Sequence, residues 1–309
     1  DAPNPGAVVG ATITGTANPR TGAQSFLDAG QTFGFGPRLL LAPGFTSQAS
    51  VREALTTLAE KLRAVALVDV PLGATPATVM AGRAAGGAID LVTSSPRVVL
   101  CYPHVRVADP AGGDPVLEPL SQHVAGAVAA RDQVLGFHHS LSNAPLVGIL
   151  GAERSLTASL TDANAETNLL NEVGVVTVLN AFGSGWRTWG NRSAAWPASA
   201  GPETFVAVRR TADVLLDSVE AAMLQYLDRP ISTALIDEIA GTVNAYIRSL
   251  QARGALVDGR CTFDPNENPP EELAAGHLTF ELTFMPPPPA ERITFKSFID
   301  ASLLTAIAA

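Results

Sequence analysis

The sequence predicts an α/β fold: a mixed sheet flanked by helices, an α+β arrangement in the C-terminal half and an extended C-terminal strand arm. Three observations predict it. Short apolar runs alternate with helical patterns in the first half, as in parallel strands joined by helices. Two long amphipathic patterns follow in the second half. The chain then ends in an alternating apolar–polar run, a run of prolines and a last apolar run.

The composition argues against several classes of protein. Of the 309 residues, 47% are apolar and 16% are charged, and the net charge is −9. With a mean hydropathy of +0.22, the chain is too apolar to be disordered. It lacks the basic surface that direct nucleic-acid binding needs. Its apolar runs have the length of strands, so we expect no membrane insertion. Cys101 and Cys261 form no CxxC pair and are expected to be reduced thiols.

The first half supplies the strands of the sheet and the helices that cover it. Buried strands are predicted at residues 38–42, 64–70 and 98–102. Helices are predicted at residues 51–62, 75–85 and 120–135. For the first helix, Ser50 is expected to be the N-cap, with Glu53 closing a capping box.

The second half begins with a predicted β-hairpin. A β-branched run at 175–179 is followed by a glycine turn at 181–185 and a second strand within 186–192. Two long amphipathic helices come next. The first is expected to end at Pro230, because proline lacks the N–H that would continue the helix. The second is expected to end near Gly254.

The tail has the clearest period in the sequence. Strict alternation predicts a half-buried strand whose inward residues are Leu278, Phe280, Leu282 and Phe284. The prolines at 286–289 cannot join a ladder and predict a stiff spacer. The strand-like run beyond them is predicted either to add to the sheet edge of a neighbour or to fold back as a long hairpin. The apolar residues of this arm are Ile293, Phe295, Phe298, Ile299, Leu303 and Leu304.

No catalytic motif is found. The sequence contains no P-loop, no GxSxG nucleophile elbow and no HExxH zinc motif. Asp213 and Asp217 lie four apart on the first long helix, and we expect them on a solvated face. We therefore predict no catalytic residue, no metal ligand and no cofactor. An α/β enzyme, a hydrolase or a transferase with an unrecognised site, is the alternative hypothesis.

Four segments, in order along the chain, carry a resemblance to a known family. Residues 37–45 contain a Pro-Arg strand that ends in Ala-Pro-Gly, and residues 205–211 open the first long helix. Between them lie an Asn-Leu-Leu-Asn-Glu-x-Gly stretch and a Trp-Gly-x-Arg element, whose signature residues are Asn171, Glu172, Gly174, Trp189, Gly190 and Arg192. This set resembles contractile phage tail sheath proteins, in particular the group of P2-like myophages and R-type pyocins.

The resemblance implies a structural protein. Sheath subunits polymerise helically around an inner tail tube, exchange strands with their neighbours and contract to drive the tube through the host envelope. The implied partners are other copies of the chain, the tail tube protein, and the baseplate and tail terminator proteins. The implied location is the virion tail, after assembly in the host bacterial cytoplasm. The sheath of a bacteriocin or of another injection system is an alternative of the same class.

The resemblance also divides the chain. Residues 1–36 are expected to be an N-terminal loop, the remnant of an upstream region, and 37–160 the α/β portion of the sheath core. Residues 161–285 are expected to form the C-terminal sheath domain, with the signature hairpin and two long helices, and 286–309 the arm. Trp189 and Arg192 are expected to serve the core and the sheet edge. We expect linkers 264–272 and 286–291 to move on contraction.

Overall fold

The computed structural model describes residues 9–180 and 183–307. Its strands are β1 Leu39–Leu41, β2 Val65–Asp69, β3 Val98–Cys101, β4 Val105–Val107, β5 Val116–Glu118, β6 Ile149–Ala152, β7 Val175–Asn180, β8 Trp186–Trp189, β9 Asp258–Thr262 and β10 Glu281–Met285. Its α-helices are α1 Gly10–Thr14, α2 Ala29–Phe33, α3 Ala49–Leu62, α4 Pro76–Gly82, α5 Leu120–Val134, α6 Glu166–Glu172, α7 Val206–Met223, α8 Thr233–Ala252 and α9 Pro270–Ala274.

The centre of the fold is a five-stranded mixed sheet in the order β1-β2-β3-β7-β8. The first four strands are parallel, and β8 pairs antiparallel with β7. This architecture confirms the predicted fold class and the predicted hairpin, although Ala181 and Phe182 of its turn lie outside the described residues. The predicted boundary between residues 160 and 161 falls within this one sheet, because β7 pairs with β3.

The two faces of the sheet have separate apolar cores, as expected of parallel strands buried on both sides. On one face, Leu40, Val68 and Leu100 pack against α3 and α4. On the other, Val65, Leu67 and Val99 pack against α5. All five residues of β2 are buried, so both faces of this strand are covered.

The C-terminal helices form a smaller core with the last two strands. Leu215 of α7 and Val243, Ile247 and Leu250 of α8 are buried against Cys261 of β9. β9 and β10 make a two-stranded antiparallel sheet. A further antiparallel sheet, β5-β4-β6, was not predicted from the sequence.

Several element ends differ from the predictions. Helix α3 begins at Ala49 after Gln48, and no side chain caps it, so the capping box at Ser50 and Glu53 is wrong. Helix α7 ends at Met223, well before Pro230, because the chain turns through residues 224–228. Residues 9–36, the described part of the expected N-terminal loop, are largely helical: α1, a 3₁₀ helix at Gly22–Asp28 and α2 follow one another, and Ala23 is buried against the α3 core.

Candidate functional site

The signature residues pack tightly against one another where α6 enters β7. Gly174 has φ +74, and a Cβ there would lie 2.5 Å from the carbonyl oxygen of Trp196. Gly190 has φ +123, and its Cβ would lie 2.5 Å from Oδ1 of Asn171. Both positions therefore require glycine for conformation and for space. Glu172 is exposed on the outer side of α6.

Thr188, the neighbour of Trp189 on β8, holds the segment after α5. Thr188 is fully buried, and its hydroxyl donates to the carbonyl oxygen of Leu141 at 2.6 Å. Trp189 is half-buried, and its indole Nε1 has no hydrogen-bond partner among the described residues. Trp189 itself pairs with Thr177 of β7 in the sheet, and its role in the core stays a prediction.

Arg192 is immobilised by its surroundings. Its guanidinium carbon lies 3.5 Å from the ring centre of Phe205 and 4.4 Å from that of Trp196. Nη1 donates to the hydroxyl of Thr204 at 2.6 Å. The side chain is 12% exposed. Stacking on aromatic faces fixes the plane of an arginine, so the remaining edge of Arg192 is held ready for a carboxylate.

That carboxylate is Glu291, which directly follows the proline spacer and Ala290. Arg192 Nε donates to Glu291 Oε1 at 3.0 Å, and Nη2 donates to Oε2 at 2.7 Å. This two-bond geometry is the strong form of an arginine–carboxylate pair. This pair attaches the start of the arm to residues 190–192 after β8, which we call the signature loop. Nothing in the sequence predicted this pair, since a glutamate after prolines has no special pattern.

The strand predicted to accept a neighbour lies over the C-terminal helices. Leu278, Phe280, Leu282 and Phe284 are half-buried, and the residues between them are exposed. The predicted alternation is confirmed, but the strand itself covers only 281–285. The chain before it is fixed by Asn268, whose side chain bonds both the N–H and the carbonyl of Thr279. Asn268 also donates to the carbonyl of Asp264, so linker 264–272 is tied to the sheet.

The two outer edges of the two-stranded sheet of β9 and β10, called the small sheet from here on, differ. On β9, the side chain of Asn244 donates to the carbonyl of Cys261 at 2.8 Å and accepts its N–H at 2.9 Å. In an antiparallel pair of strands, a residue whose N–H and C=O point away from the partner strand lies opposite a residue whose N–H and C=O also point away. The partner of Cys261 is Leu282. The side of β9 at Cys261 is therefore occupied by Asn244, whereas the backbone of Leu282 points from the outer edge of β10.

Among the described residues, the arm beyond Glu291 forms no strand. No ladder includes residues 293–299 in the part of the chain that the structure describes, so the hairpin alternative is not what the structure contains. Ile293 is 71% exposed and Phe295 is 89% exposed. Phe298, Ile299 and Leu304 are exposed as well. Leu303 lies in a 3₁₀ helix at Ala301–Ile307, and its side chain is outside what the structure describes.

Asp213 and Asp217 are not on a solvated face, and that prediction is wrong. Asp213 is buried, with oxygens 2.6 and 2.8 Å from Arg97 and 2.9 Å from Arg209. Asp217 bonds both Arg38 and Arg63. Arg38, Arg63 and Arg97 stand just before β1, β2 and β3, so α7 crosses the N-terminal ends of three strands. That repeated position of arginine is a signal that the sequence did contain.

Two buried groups near the ends of β2 and β3 have raised pKa values. Burial raises the pKa of Asp69, which accepts hydrogen bonds from the N–H and hydroxyl of Ser121 at the start of α5. Burial also raises the pKa of Tyr102 to about 12. No three His, Cys, Asp or Glu side chains of residues 9–180 and 183–307 are placed to hold a metal ion. In the same residues, no helix has the length and apolar character to cross a membrane.

Comparison with known proteins agrees with these observations. The model of the phage tail sheath protein central domain matches residues 20–194, and that of the phage tail sheath C-terminal domain matches 203–300. The tail sheath protein of Burkholderia phage BcepMu is 43% identical over 98% of this chain. This chain spans 64% of that relative, less than two thirds of its length. The tail sheath protein of Escherichia phage P2 is 30% identical over 93% of this chain and 70% of its own.

A solved structure shares the fold. The sheath complex of an extracellular contractile injection system, PVC, in its contracted state, superposes with a TM-score of 0.73 at 19% identity. The match covers 92% of this chain and 76% of that one. The relatives are tail sheath proteins, which are structural, so the enzyme alternative is not supported. With two family models that together match most of its length, the chain belongs to the phage tail sheath family.

Proposed function

We propose that the chain is a structural subunit of a contractile tail sheath. It polymerises helically around an inner tail tube and contracts to drive that tube through the host envelope. One observation carries the proposal beyond family membership. In the part of the chain that the structure describes, an exposed apolar arm joins no strand, and a half-buried strand has an outward-pointing backbone at Leu282.

The arm of one subunit adds to the β10 edge of the next. Ile293, Phe295 and Ile299 share one face at strand period. That face continues the apolar side of the small sheet, where Leu282 and Phe284 pack on the helices. Burying three such side chains contributes roughly 5–9 kcal/mol before the cost of ordering the arm. Main-chain bonds to β10 fix the register. Because donor and acceptor are different surfaces, the contact is heterologous and extends into a helical filament.

The remaining partners follow from the same assignment. The tail tube protein lies inside the polymer, and the baseplate and tail terminator proteins meet its ends. The net charge of −9 supports a subunit that does not touch the genome. We propose that assembly takes place in the host bacterial cytoplasm and that the product is part of a virion tail.

Deletion of residues 293–309 tests the arm. In the protein as its gene encodes it, we expect the truncated chain to stay folded and monomeric, while the full chain forms tubes. Negative-stain electron microscopy and circular dichroism measure the two properties. Tubes of normal appearance from the truncated chain would refute strand donation.

A point substitution tests the face of the arm. Phe295→Asp puts a charge on the side that enters the neighbour and should abolish tubes. Its matched control, Thr294→Asp, puts the same charge on the opposite side of the same strand and should leave tubes intact. Both residues are exposed in the free chain, so neither change should lower the melting temperature. A large loss of monomer stability for Phe295→Asp would instead assign this residue to the core of its own subunit.

The type of particle is tested on material from the producing strain. We expect mass spectrometry of purified particles to find this chain together with tube, baseplate and capsid proteins. Particles that contain tube and baseplate but no capsid would assign the chain to a phage-like bacteriocin instead.

A further inference from the structure

We infer that Arg192 is a positioning residue for the arm: its ion pair with Glu291 fixes the arm's root and sets the point at which the arm leaves the subunit. The consequence for assembly rests on the proposed function, whereas the anchor itself can be measured on the free chain.

The Arg192 side of the ion pair is rigid. The backbone of Arg192 forms an antiparallel bridge with Phe205. Its neighbours extend this pairing, since Ser193 N–H donates to Thr204 at 2.8 Å and Val206 N–H donates to Asn191 at 3.1 Å. Ala194 N–H donates to Val98 of β3 at 2.7 Å. Arg192 is thus tied to the central sheet through its backbone and held over two rings through its side chain.

The linker side is held at both ends. Met285, the last residue of β10, accepts the N–H of Val257 at 2.8 Å. Glu291 is bound to Arg192. Between them, Pro286 is buried, and a polyproline segment extends by about 3.1 Å per residue without internal hydrogen bonds. At this rise, the segment from 285 to 291 spans about 19 Å. It connects the small sheet to the signature loop.

This arrangement relocates the flexible joint of the arm. The sequence favoured movement within residues 286–291, but those residues are stiff and pinned at both ends. The first residue past the anchor is Arg292, which is exposed, as is every residue from 292 to 302. The arm accordingly pivots at Arg292, and its base is held to the central sheet as well as to β10.

The anchor is tested by spin-label distance measurement on the full free chain. One label is placed on Arg292→Cys and the other on Thr57→Cys, an exposed position of α3; the native Cys101 and Cys261 are buried. With Glu291 intact we expect a narrow distance distribution. Glu291→Gln and Arg192→Met should each widen it at least about twofold, since a bidentate charged pair is lost. Arg192→Lys, which keeps the charge but not the fork, should lie between.

Matched controls separate the anchor from general effects of charge. Glu281→Gln and Arg260→Met alter exposed residues of the small sheet and should leave the distribution narrow. Glu291→Gln should also leave the melting temperature unchanged, which distinguishes a positioning role from a structural one. Equal widths in the parent and in Glu291→Gln would overturn the inference.

Assembly is measured separately. In the unlabelled full chain, Glu291→Gln should slow tube formation about tenfold, because the arm is aimed correctly for a smaller fraction of the time. A widened distribution together with normal tube formation would overturn the positioning role. Tubes from the chain lacking 293–309 would refute the proposed strand donation while leaving the measured anchor in place.

Discussion

Gly190 has no room for a side chain in the signature segment. An added Cβ would meet Asn171 Oδ1 at 2.5 Å and Val176 Cα at 3.2 Å, and φ is +123. Gly190→Ala should therefore cost about 3 kcal/mol of unfolding free energy, from backbone strain and overlap together. The control is Gly44→Ala, where φ is +80 but nothing lies within 4 Å; it should cost about 1 kcal/mol. If urea unfolding gives equal losses of unfolding free energy for the two variants, the contact with Asn171 does not contribute to the cost.

Asp213 carries the charge at the junction of α7 with the sheet. Asp213→Ala removes the buried carboxylate partner of Arg97, which is itself buried, and leaves it with the exposed Glu60. Removing one member of a buried pair costs about 3–5 kcal/mol. Glu220 lies on α7, like Asp213, and is a mostly exposed partner of Arg63. Glu220→Ala should therefore lower the free energy of unfolding by less than about 1 kcal/mol. Thermal and urea unfolding of both variants would measure the difference, and similar losses would contradict this ranking.

Asp69 makes stability depend on pH. Burial raises the pKa of its carboxyl, an effect that the hydrogen bonds of Ser121 oppose. In the pH range between the ordinary and the raised pKa, the native state binds more protons than the unfolded chain, so stability falls as pH rises. Asp69→Asn removes this ionisation and keeps an oxygen for the N–H of Ser121. Relative to wild type, the variant should therefore gain stability as pH rises from the ordinary pKa of a carboxyl group through the raised pKa of Asp69.

Urea unfolding at several pH values measures this dependence. Asp237→Asn, at an exposed position of α8, serves as the control and should follow wild type. A constant difference between Asp69→Asn and wild type across the range would contradict the raised pKa.

At the scale of elements, the small sheet depends on one amide. Asn244 satisfies both backbone groups of Cys261. Asn244→Ala should cost about 1–3 kcal/mol, because a buried donor and acceptor lose their partners. Asn266→Ala, at an exposed loop position, should cost less than about 0.5 kcal/mol. If the two variants unfold alike, the edge of β9 at Cys261 is not held by this side chain.

The sequence predicted those elements whose pattern is set locally. Strands β2 and β3 are continuous apolar runs, and the hairpin of β7 and β8 surrounds a glycine turn, so each was predicted near its true place. The end of α7 was not, because the turn after Met223 is stabilised by tertiary packing of Tyr226 against Leu235 and Ile239. The solvated face predicted for Asp213 was wrong for the same kind of reason. Helical periodicity does not reveal arginines that approach from the ends of three strands.

The candidate site was predictable in part. The alternation at 278–284 and the apolar arm are sequence patterns, and the structure confirms the first. The pair of Arg192 with Glu291 joins residues 99 positions apart, and no local pattern specifies such a contact. Whether the arm enters a neighbour stays a prediction that the experiments above decide.

At the scale of the whole molecule, the apolar excess of the composition has a partial location. Apolar side chains of the arm stand in solvent in the free chain, and we expect a protease to reach this segment first. Limited trypsin digestion should cut first after Arg292 or Lys296, both exposed, and leave the rest of the chain folded. Mass spectrometry identifies the product. In assembled tubes the same sites should resist cleavage, and equal cleavage in tubes and free chain would contradict strand donation.

The arm and the β10 edge occupy different parts of one chain, and this has a consequence for any run of subunits joined by the proposed exchange. Every finite run has two unlike ends. One end presents unpaired arms with Phe295 and Ile299 in solvent, and the other presents unfilled edges at Leu282. A starting platform then needs to supply only one half of the contact, and a closing protein only the other. The polarity of the whole assembly therefore follows from the two different contact segments that each subunit carries.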